Sequence, residues 1–203
     1  MMRAGLHGCA CAGREMDSAP ANILIRPATP ADIDDLLEIE ERTFASDRIR
    51  RRSFRGFLAS RSSVLLVAVR HRTLIGYALV LFRAKSSVAR LYSIAIVPEA
   101  ARRGVGIALL AAAERATIAR RCTRLRLEVH EKNAAAISRY RKSGYAMFGR
   151  YAAYYADGGH ALRFEKRLTP VPAGFAIRAS AANPKFAPQL PGVRLRTSGS
   201  KRH

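Results

Sequence analysis

The sequence has few acidic residues, few cysteines and no long apolar run. Its 15 aspartates and glutamates are outnumbered by 36 lysines and arginines, which gives the 203 residues a formal net charge of +21 at pH 7. A surface this basic attracts nucleic acid, ribosomes, anionic membranes, or acidic or polyphosphate-bearing substrates. A solvated, arginine-rich coat that reflects a GC-rich coding bias explains the same excess. Charge alone does not separate these two interpretations, because it concerns association and not fold.

Cysteine is limited to Cys9, Cys11 and Cys122. The first two are one residue apart and have no histidine or cysteine cluster at zinc spacing beside them, so we expect no metal site. An odd number of cysteines suits a reducing cytoplasm, and the N-terminus has no apolar segment typical of a secretory signal. No apolar run approaches the roughly 18–20 residues of a transmembrane helix. We therefore expect a cytoplasmic protein without a membrane span.

Length and composition fit one domain of ordinary size with flanking segments. Residues 1–21 show no periodicity and are expected to be a disordered leader. From residue 169 onward, prolines and basic residues without any acid predict a flexible basic tail, although an extension without a role explains them too. Residues 22–168 alternate strand-like and helix-like patterns in the order β-α-α-β-β-β-α-β-α-β-β. This order predicts a mixed sheet covered by helices, in the α/β (α+β) class.

The boundaries of the predicted elements follow from periodicity and turn residues. Thr29 and Pro30 are expected to begin the first helix, a basic break over 46–52 precedes the second, and Gly76 marks a possible bulge. Asp157-Gly158-Gly159 predicts a hairpin turn. The predicted strands are 22–26, 64–69, 74–82, 88–97, 124–129, 145–155 and 161–166, and the third and fourth helices are 104–120 and 134–142.

The central segment of the chain is a strand, a tight turn and a long helix around residues 93–120. The apolar strand stops at Pro98, and Arg102, Arg103, Gly104 and Gly106 precede an alanine- and leucine-rich helix. The first turn of a helix has backbone N–H groups without internal partners and a partial positive charge. Glycine lets a ligand approach that backbone closely, and the arginines add full charges. The segment predicts a phosphate or pyrophosphate site, although its spacing fits neither a dinucleotide fingerprint nor a P-loop.

A second motif lies downstream, between Leu125 and Tyr145. A strand carrying Glu128 is followed by the pattern Asn-x-x-Ala, which begins at Asn133, and then by an apolar residue. Tyr140 follows, ahead of a Gly-Tyr pair. Asn133 is expected to cap a helix that Gly144 ends. Together with Arg103-x-x-Gly106-x-Ala108, this pattern resembles the GNAT N-acetyltransferases over residues 22–168. Within the family the likeness is to the RimI type, which acetylates the N-terminal alanine of a ribosomal protein.

One segment departs from the RimI pattern. Where that type has an aromatic, proline-containing stretch between the first two helices, this chain has residues 44–54, rich in arginine. The segment looks more like acetyltransferase domains fused to C39-peptidase-like domains. Because it lines the acceptor cleft in the family, it bears on the identity of the acceptor.

The resemblance implies a GNAT acyl-CoA N-acyltransferase fold with about seven strands and four helices, and acetyl-CoA as co-substrate. It assigns the pantetheine arm to backbone groups of the strand before the turn, and Asn133 to a cofactor contact. It assigns the pyrophosphate to the turn and the start of the helix. The residues implied are Ile94, Ala95 and Ile96 for the pantetheine, and Arg102, Arg103, Gly104, Val105, Gly106 and Ile107 for the pyrophosphate.

Amide formation needs a neutral amine and a proton for the leaving thiolate. Glu128 is the candidate base, acting directly or through water, and Tyr140 is the candidate acid. On alternation alone Glu128 is a surface residue paired with Arg126 or Arg124, and Tyr140 packs its ring on the sheet; the motif positions favour catalysis. His130 and Glu131 are secondary candidates for the base, expected past the end of the strand.

The acceptor is expected to be a protein or peptide N-terminal α-amine, with Tyr151, Tyr154 and Tyr155 walling its site. Two alternatives remain. One is a small-molecule amine acetyltransferase, which an acidic acceptor cleft favours. The other is a basic module that binds RNA or the ribosome on the same fold, which the net charge favours.

Overall fold

The computed structural model describes residues 23–169 except 45–46, 102 and 156. The predicted leader, the tail beyond Thr169, and Arg102 lie outside the described residues. Strands are β1 (Leu24–Pro27), β2 (Ser63–Arg70), β3 (Thr73–Leu81), β4 (Val88–Ile96), β5 (Arg124–His130), β6 (Ala146–Tyr151) and β7 (Ala161–Arg167). Helices are α1 (Ile33–Thr43), α2 (Arg51–Ala59), α3 (Val105–Ala119) and α4 (Ala134–Lys142).

The order of elements in the described residues is the predicted one, with differences at the ends. A 3₁₀ turn, Pro30–Asp32, replaces the predicted first turn of α1. α2 begins at Arg51, inside the predicted basic break. His130 is the last residue of β5 and does not lie past its end. β6 ends at Tyr151, so Tyr154 and Tyr155 lie in a loop, 152–160, that is longer than the predicted tight hairpin.

The seven strands form one mixed sheet in the order β1-β2-β3-β4-β5-β7-β6. All neighbours are antiparallel except β4 and β5, which are parallel. These two pair only from Val88–Leu91 to Arg124–Leu127. Both strands continue past this short ladder, β4 to Ile96 and β5 to His130, so the middle of the sheet opens.

Two irregularities shape the strands beside the opening. Val80 pairs with Leu91 but Leu79 pairs with Ser93, which leaves Tyr92 as a bulge in β4. A second irregularity skips Ile75, next to Gly76, where the sequence predicted a bulge. A Cβ atom on Gly76 would lie 2.7 Å from the carbonyl oxygen of Ala95, so the close approach of β3 and β4 requires glycine there.

Helices cover both faces of the sheet. The Tyr77 ring meets the Phe54 ring of α2 edge-on, at 5.8 Å between centroids, and its hydroxyl contacts Glu40 of α1. The neighbouring Gly76 lies on the opposite face, since side chains alternate along a strand, and α3 packs there. The fully buried core includes Leu36, Phe54, Tyr77, Leu79, Leu109, Leu125, Leu127 and Phe164. Among the described helices, none has the length and apolarity that a bilayer crossing requires.

Candidate active site

A cleft of about 1590 Å³ lies where β4 and β5 part. One wall is the end of β4, residues 92–96, and the other is the end of β5, residues 128–130. Residues of α1, α4, the α1–α2 connection and the loop 152–160 also line it. Of the predicted site residues, the cleft is lined by Ile94, Ala95, Ile96, Glu128, Asn133 and Tyr140.

The turn that contains Gly104 and Gly106, called here the glycine turn, lies against the end of β4. Gly104 precedes α3 with φ +79°, a left-handed conformation that residues with a Cβ rarely adopt. Ala108 donates the first helical hydrogen bond to the Gly104 carbonyl at 3.0 Å, so the N–H groups before it have no helical acceptor. A Cβ on Gly106 would lie 2.9 Å from Cδ1 of Ile96. The turn therefore has backbone donors without helical acceptors beside the strand expected to hold the pantetheine.

Arg139 is a site residue that sequence reasoning missed. Its Nη1 is 3.3 Å from the position of a Cβ on Gly106, which places the guanidinium against the first turn of α3. Arg139 lines the main cleft and also a second cavity of about 550 Å³ between α3 and α4. Ile107 and Lys142 line that second cavity too. Helical spacing from Ala135 through Arg139 to Lys142 was the available signal.

Glu128 is held by two arginines from the neighbouring strands. Its Oε2 accepts a hydrogen bond from Arg90 Nε at 2.8 Å, and its Oε1 is 3.8 Å from Arg163 Nε. The side chain is 10% exposed. The predicted alternative, pairing with Arg126 or Arg124, is wrong, because both of those arginines pair with Glu165 on β7.

Aromatic side chains hold the two arginines in turn. The Arg163 guanidinium lies over the rings of Phe148 and Tyr151, at 4.5 and 4.2 Å from their centroids. Arg90 Nη2 donates to the Tyr154 hydroxyl at 3.1 Å. Tyr154 and Tyr155 line the cleft, as the sequence predicted, whereas Tyr151 supports Arg163 and stacks on Tyr154. The aromatic side chains of β6 and of the loop 152–160 thus fix the position of the Glu128 carboxylate through these arginines.

Tyr140 both packs in the core and lines the cleft. Its ring contacts those of Tyr145 and Phe164, at 5.8 and 6.3 Å between centroids. Burial raises the pKa of Tyr140 to about 12, so its phenol keeps its proton at neutral pH. Burial, with Tyr154, Glu128 and Tyr140 nearby, raises the pKa of Tyr155 to about 12 as well. Two neutral phenols therefore line the same cleft as Glu128.

A buried carboxylate, Glu40, adjoins the opposite wall and was not predicted as a site residue. The Tyr77 hydroxyl and the Ile49 backbone N–H both donate to it, the latter at 2.5 Å. The same hydroxyl is 2.7 Å from Ser93 Oγ, on the cleft side of β4. Burial and the Glu40 carboxylate raise the pKa of Tyr77 well above its usual value, so this phenol too remains neutral.

The sheet is mixed and opens between its two parallel strands, and a glycine turn beside this opening leads into a helix. This arrangement is typical of the acyltransferase fold that the sequence resembles. The profile of the Acetyltransferase (GNAT) family matches residues 33–145. The chain belongs to the GNAT acetyltransferase family and is an N-acetyltransferase. Both the predicted family and the predicted fold are confirmed.

Solved structures agree on the fold. The ribosomal-protein-alanine N-acetyltransferase from Brucella melitensis is 27% identical, with a TM-score of 0.63 over 71% of this chain and 99% of that one. The ribosomal-protein-S18-alanine N-acetyltransferase from Escherichia coli is 23% identical, with a TM-score of 0.66 over 76% and 99%. PaiA N-acetyltransferase from Thermoplasma acidophilum, solved with coenzyme A, is 21% identical, with a TM-score of 0.60 over 71% and 98%. A sequence search of curated proteins finds no match.

Proposed function

We propose that this enzyme transfers the acetyl group of acetyl-CoA to the N-terminal α-amine of a protein or peptide. The observation that carries the proposal is the position of Glu128 and Tyr140 in one cleft, between strands that part above the glycine turn. Two of the similar structures are named as acetyltransferases of a ribosomal-protein alanine, which is the same kind of acceptor.

Three parts of the site place the thioester. Backbone groups of Ile94, Ala95 and Ile96 bind the pantetheine arm along the free edge of β4. The loop from Arg102 to Ile107 binds the pyrophosphate with backbone N–H groups and arginine charges. Asn133 lines the cleft and also caps α4, through an Oδ1 that accepts from Ala136 N–H at 3.1 Å. We add Arg139 to this set, because its guanidinium lies beside the same turn.

Glu128 and Tyr140, which both line the cleft, then carry out the two proton transfers. The amine nitrogen attacks the thioester carbonyl carbon, and a C–N bond forms while the nitrogen loses a proton to Glu128, directly or through water. A carboxylate has about four lone-pair sites, so the contacts with two arginines leave room for the amine or a water. As the C–S bond breaks, the thiolate takes the phenol proton of Tyr140, which solvent restores.

An α-amine suits this site better than a lysine side chain. The ordinary pKa of an α-amine is about 8 and that of lysine about 10.4, so at neutral pH a far larger fraction of the α-amine has the free lone pair that attack requires. The open cleft also admits a chain that continues beyond the reacting residue.

The test measures acetyl-CoA binding by calorimetry and then acetylation of matched peptides by mass spectrometry. Peptides with a free N-terminus are compared with the same peptides blocked at the N-terminus and carrying one lysine, and with small amines. We expect micromolar acetyl-CoA binding that Gly106→Glu abolishes, and acetylation of the free N-terminus. Acetylation of small amines alone would assign the enzyme to the other substrate class.

A further inference from the structure

The Glu40–Tyr77–Ser93 chain of hydrogen bonds has a direction that follows from chemistry. Glu40 is 2% exposed, and its two carboxylate oxygens accept from the Tyr77 hydroxyl and the Ile49 N–H. A carboxylate only accepts hydrogen bonds, so the single hydroxyl proton of Tyr77 points to Glu40. The contact of 2.7 Å between Tyr77 and Ser93 therefore needs its proton from Ser93.

This direction decides what Ser93 offers to a substrate. With its own proton committed to Tyr77, the Ser93 oxygen presents only lone pairs to the cleft. It is therefore not a donor for the oxyanion that develops on the thioester carbonyl. It accepts from an N–H group, and the charge of Glu40 at the far end of the chain strengthens that acceptance.

Ser93 and Glu128 lie on facing walls and on the same face of the sheet. Tyr77, which bonds Ser93, packs against α1 and α2. Glu128 pairs with Arg90, whose guanidinium lies 5.7 Å from the ring of Tyr92, and Tyr92 contacts Phe57 of α2 at 6.0 Å. A primary amine between the walls has two N–H groups and one lone pair, which matches two acceptors and one carbonyl carbon.

We propose that Ser93 accepts a hydrogen bond from the attacking amine, opposite Glu128, and that Tyr77 and Glu40 are positioning residues that orient its hydroxyl. The inference rests on the proposed function, since it concerns the amine acceptor. The bond strengthens as the nitrogen becomes positive during attack, so it favours the transition state over the bound substrate. Ile49 joins the same carboxylate, which ties the connection between α1 and α2 to this orientation.

Glu40→Gln is the most discriminating variant, because it reverses the chain without changing its shape. The fixed N–H of Ile49 takes the amide oxygen, so the amide NH₂ faces Tyr77 and turns the phenol proton toward Ser93. Ser93 then donates into the cleft where it should accept. Ser93→Ala removes the acceptor outright, and Ser93→Thr restores a hydroxyl on a side chain that suits a strand.

The experiment measures kcat and KM for a peptide α-amine, and the acetyl-CoA dissociation constant, in each variant. We expect kcat/KM for the peptide to fall about tenfold in Ser93→Ala and Glu40→Gln and to recover in Ser93→Thr, with acetyl-CoA affinity unchanged. Thr117→Val is the control for lost buried hydrogen bonding, since Thr117 is fully buried and donates to Ala113 on the other face of the sheet. It should lower the melting temperature and leave peptide kinetics intact.

Other results overturn the inference in distinguishable ways. A rise in KM for acetyl-CoA in Ser93→Ala would assign the Ser93 contact to the pantetheine arm. Unchanged peptide kinetics in Ser93→Ala and Glu40→Gln, in an enzyme that acetylates the peptide, would overturn this inference alone. A wild type that acetylates no amine would overturn the proposed function and this inference with it.

Discussion

At the scale of the residue, Glu128 is the side chain on which the proposed reaction depends most. Glu128→Gln keeps the shape of the side chain but cannot take the amine proton, so we expect kcat/KM for the peptide to fall by about a hundredfold. Acetyl-CoA binding measured by calorimetry should not change. Glu165→Gln is the matched control, since Glu165 also pairs with arginines on this face but does not line the cleft. Equal losses in both variants would point to lost stability of the sheet.

Tyr140 gives a prediction about pH. Burial raises its pKa to about 12 from an ordinary 10, so its proton remains available until the pH approaches 12. The rate in the wild type should therefore show no decline between about pH 9 and 11 from this group. Tyr140→Phe should lower kcat about ten- to a hundredfold at all these values, whereas Tyr145→Phe should not. A kcat in Tyr140→Phe that equals that of Tyr145→Phe across this range would exclude Tyr140 as the acid.

The position of Arg139 leads to a prediction about the affinity for acetyl-CoA. Arg139→Gln removes a cation from beside the Gly106 turn, and a hydrogen bond to a charged group is worth about 1.5–3 kcal/mol. We expect the acetyl-CoA dissociation constant to rise at least about tenfold, with little change in the KM of the peptide. Arg141→Gln, an exposed position of the same helix, is the control. An equal rise in both variants would show only a general effect of charge.

The sequence identified the two candidate catalytic residues but not their partners. Glu128 and Tyr140 stand at positions of a recognisable motif. Arg163 contacts Glu128 because the two residues are directly opposite in the β5–β7 ladder, and Arg90 does so from the neighbouring β4. Those contacts depend on strand register and order, which no local pattern of residues contains. The same holds for Glu40 and Ser93, which Tyr77 joins across three elements.

At the scale of the element, the start of α1 depends on one buried carboxylate. Asp32 accepts from Arg26 through two hydrogen bonds of 2.7 Å and from the Thr29 N–H at 2.7 Å. These bonds, that of Arg26 first, lower the pKa of Asp32 to about 2. A lowered pKa stabilises the fold above the unfolded value near 4, and this stability disappears as the pH falls through about 2.

Asp32→Asn should therefore lower the free energy of unfolding by about 2 kcal/mol at pH 7, measured with urea. The difference from the wild type should shrink steadily between about pH 4 and 2. Asp35→Asn, an exposed position in the first turn of α1, should change stability by less than about 0.5 kcal/mol. A difference that does not depend on pH would mean that the Asp32 carboxylate is not the cause.

Elements with strong periodicity were predictable, and local irregularities were not. The alternation of apolar residues located all seven strands in order, and Asn133 and Gly144 bounded α4 as expected. The bulge at Tyr92 could not be predicted from the local sequence, because it depends on how β4 pairs with β3. The start of α2 was missed because arginines at Arg51 and Arg52 oppose the helix dipole, and packing of Phe54 in the core outweighs that cost.

At the scale of the whole molecule, the open sheet predicts that acetyl-CoA stabilises the fold. A ligand that binds only the folded state at a hundred times its dissociation constant adds about 2.7 kcal/mol. For a domain of this size the melting temperature should rise by about 5–10 °C in a thermal scan. Gly106→Glu, whose Cβ displaces Ile96 and lowers the melting temperature of the free protein, should show no rise when acetyl-CoA is added. A rise that persists in the variant would place the ligand elsewhere.

The short ladder between β4 and β5 divides the sheet into two plates joined along a seam of four residue pairs. The first plate, β1 to β4, carries the glycine turn, and α3 packs chiefly against it. The second plate, β5 to β7 with α4, carries Glu128, Tyr140 and the tyrosines of the loop 152–160. A crossover in the connection before β5 would exchange the proposed proton-transfer groups, together with Asn133 and Arg139, between related enzymes and leave the glycine turn and the end of β4 unchanged. The short β4–β5 ladder therefore marks a suitable crossover position for chimaeric enzymes of this family.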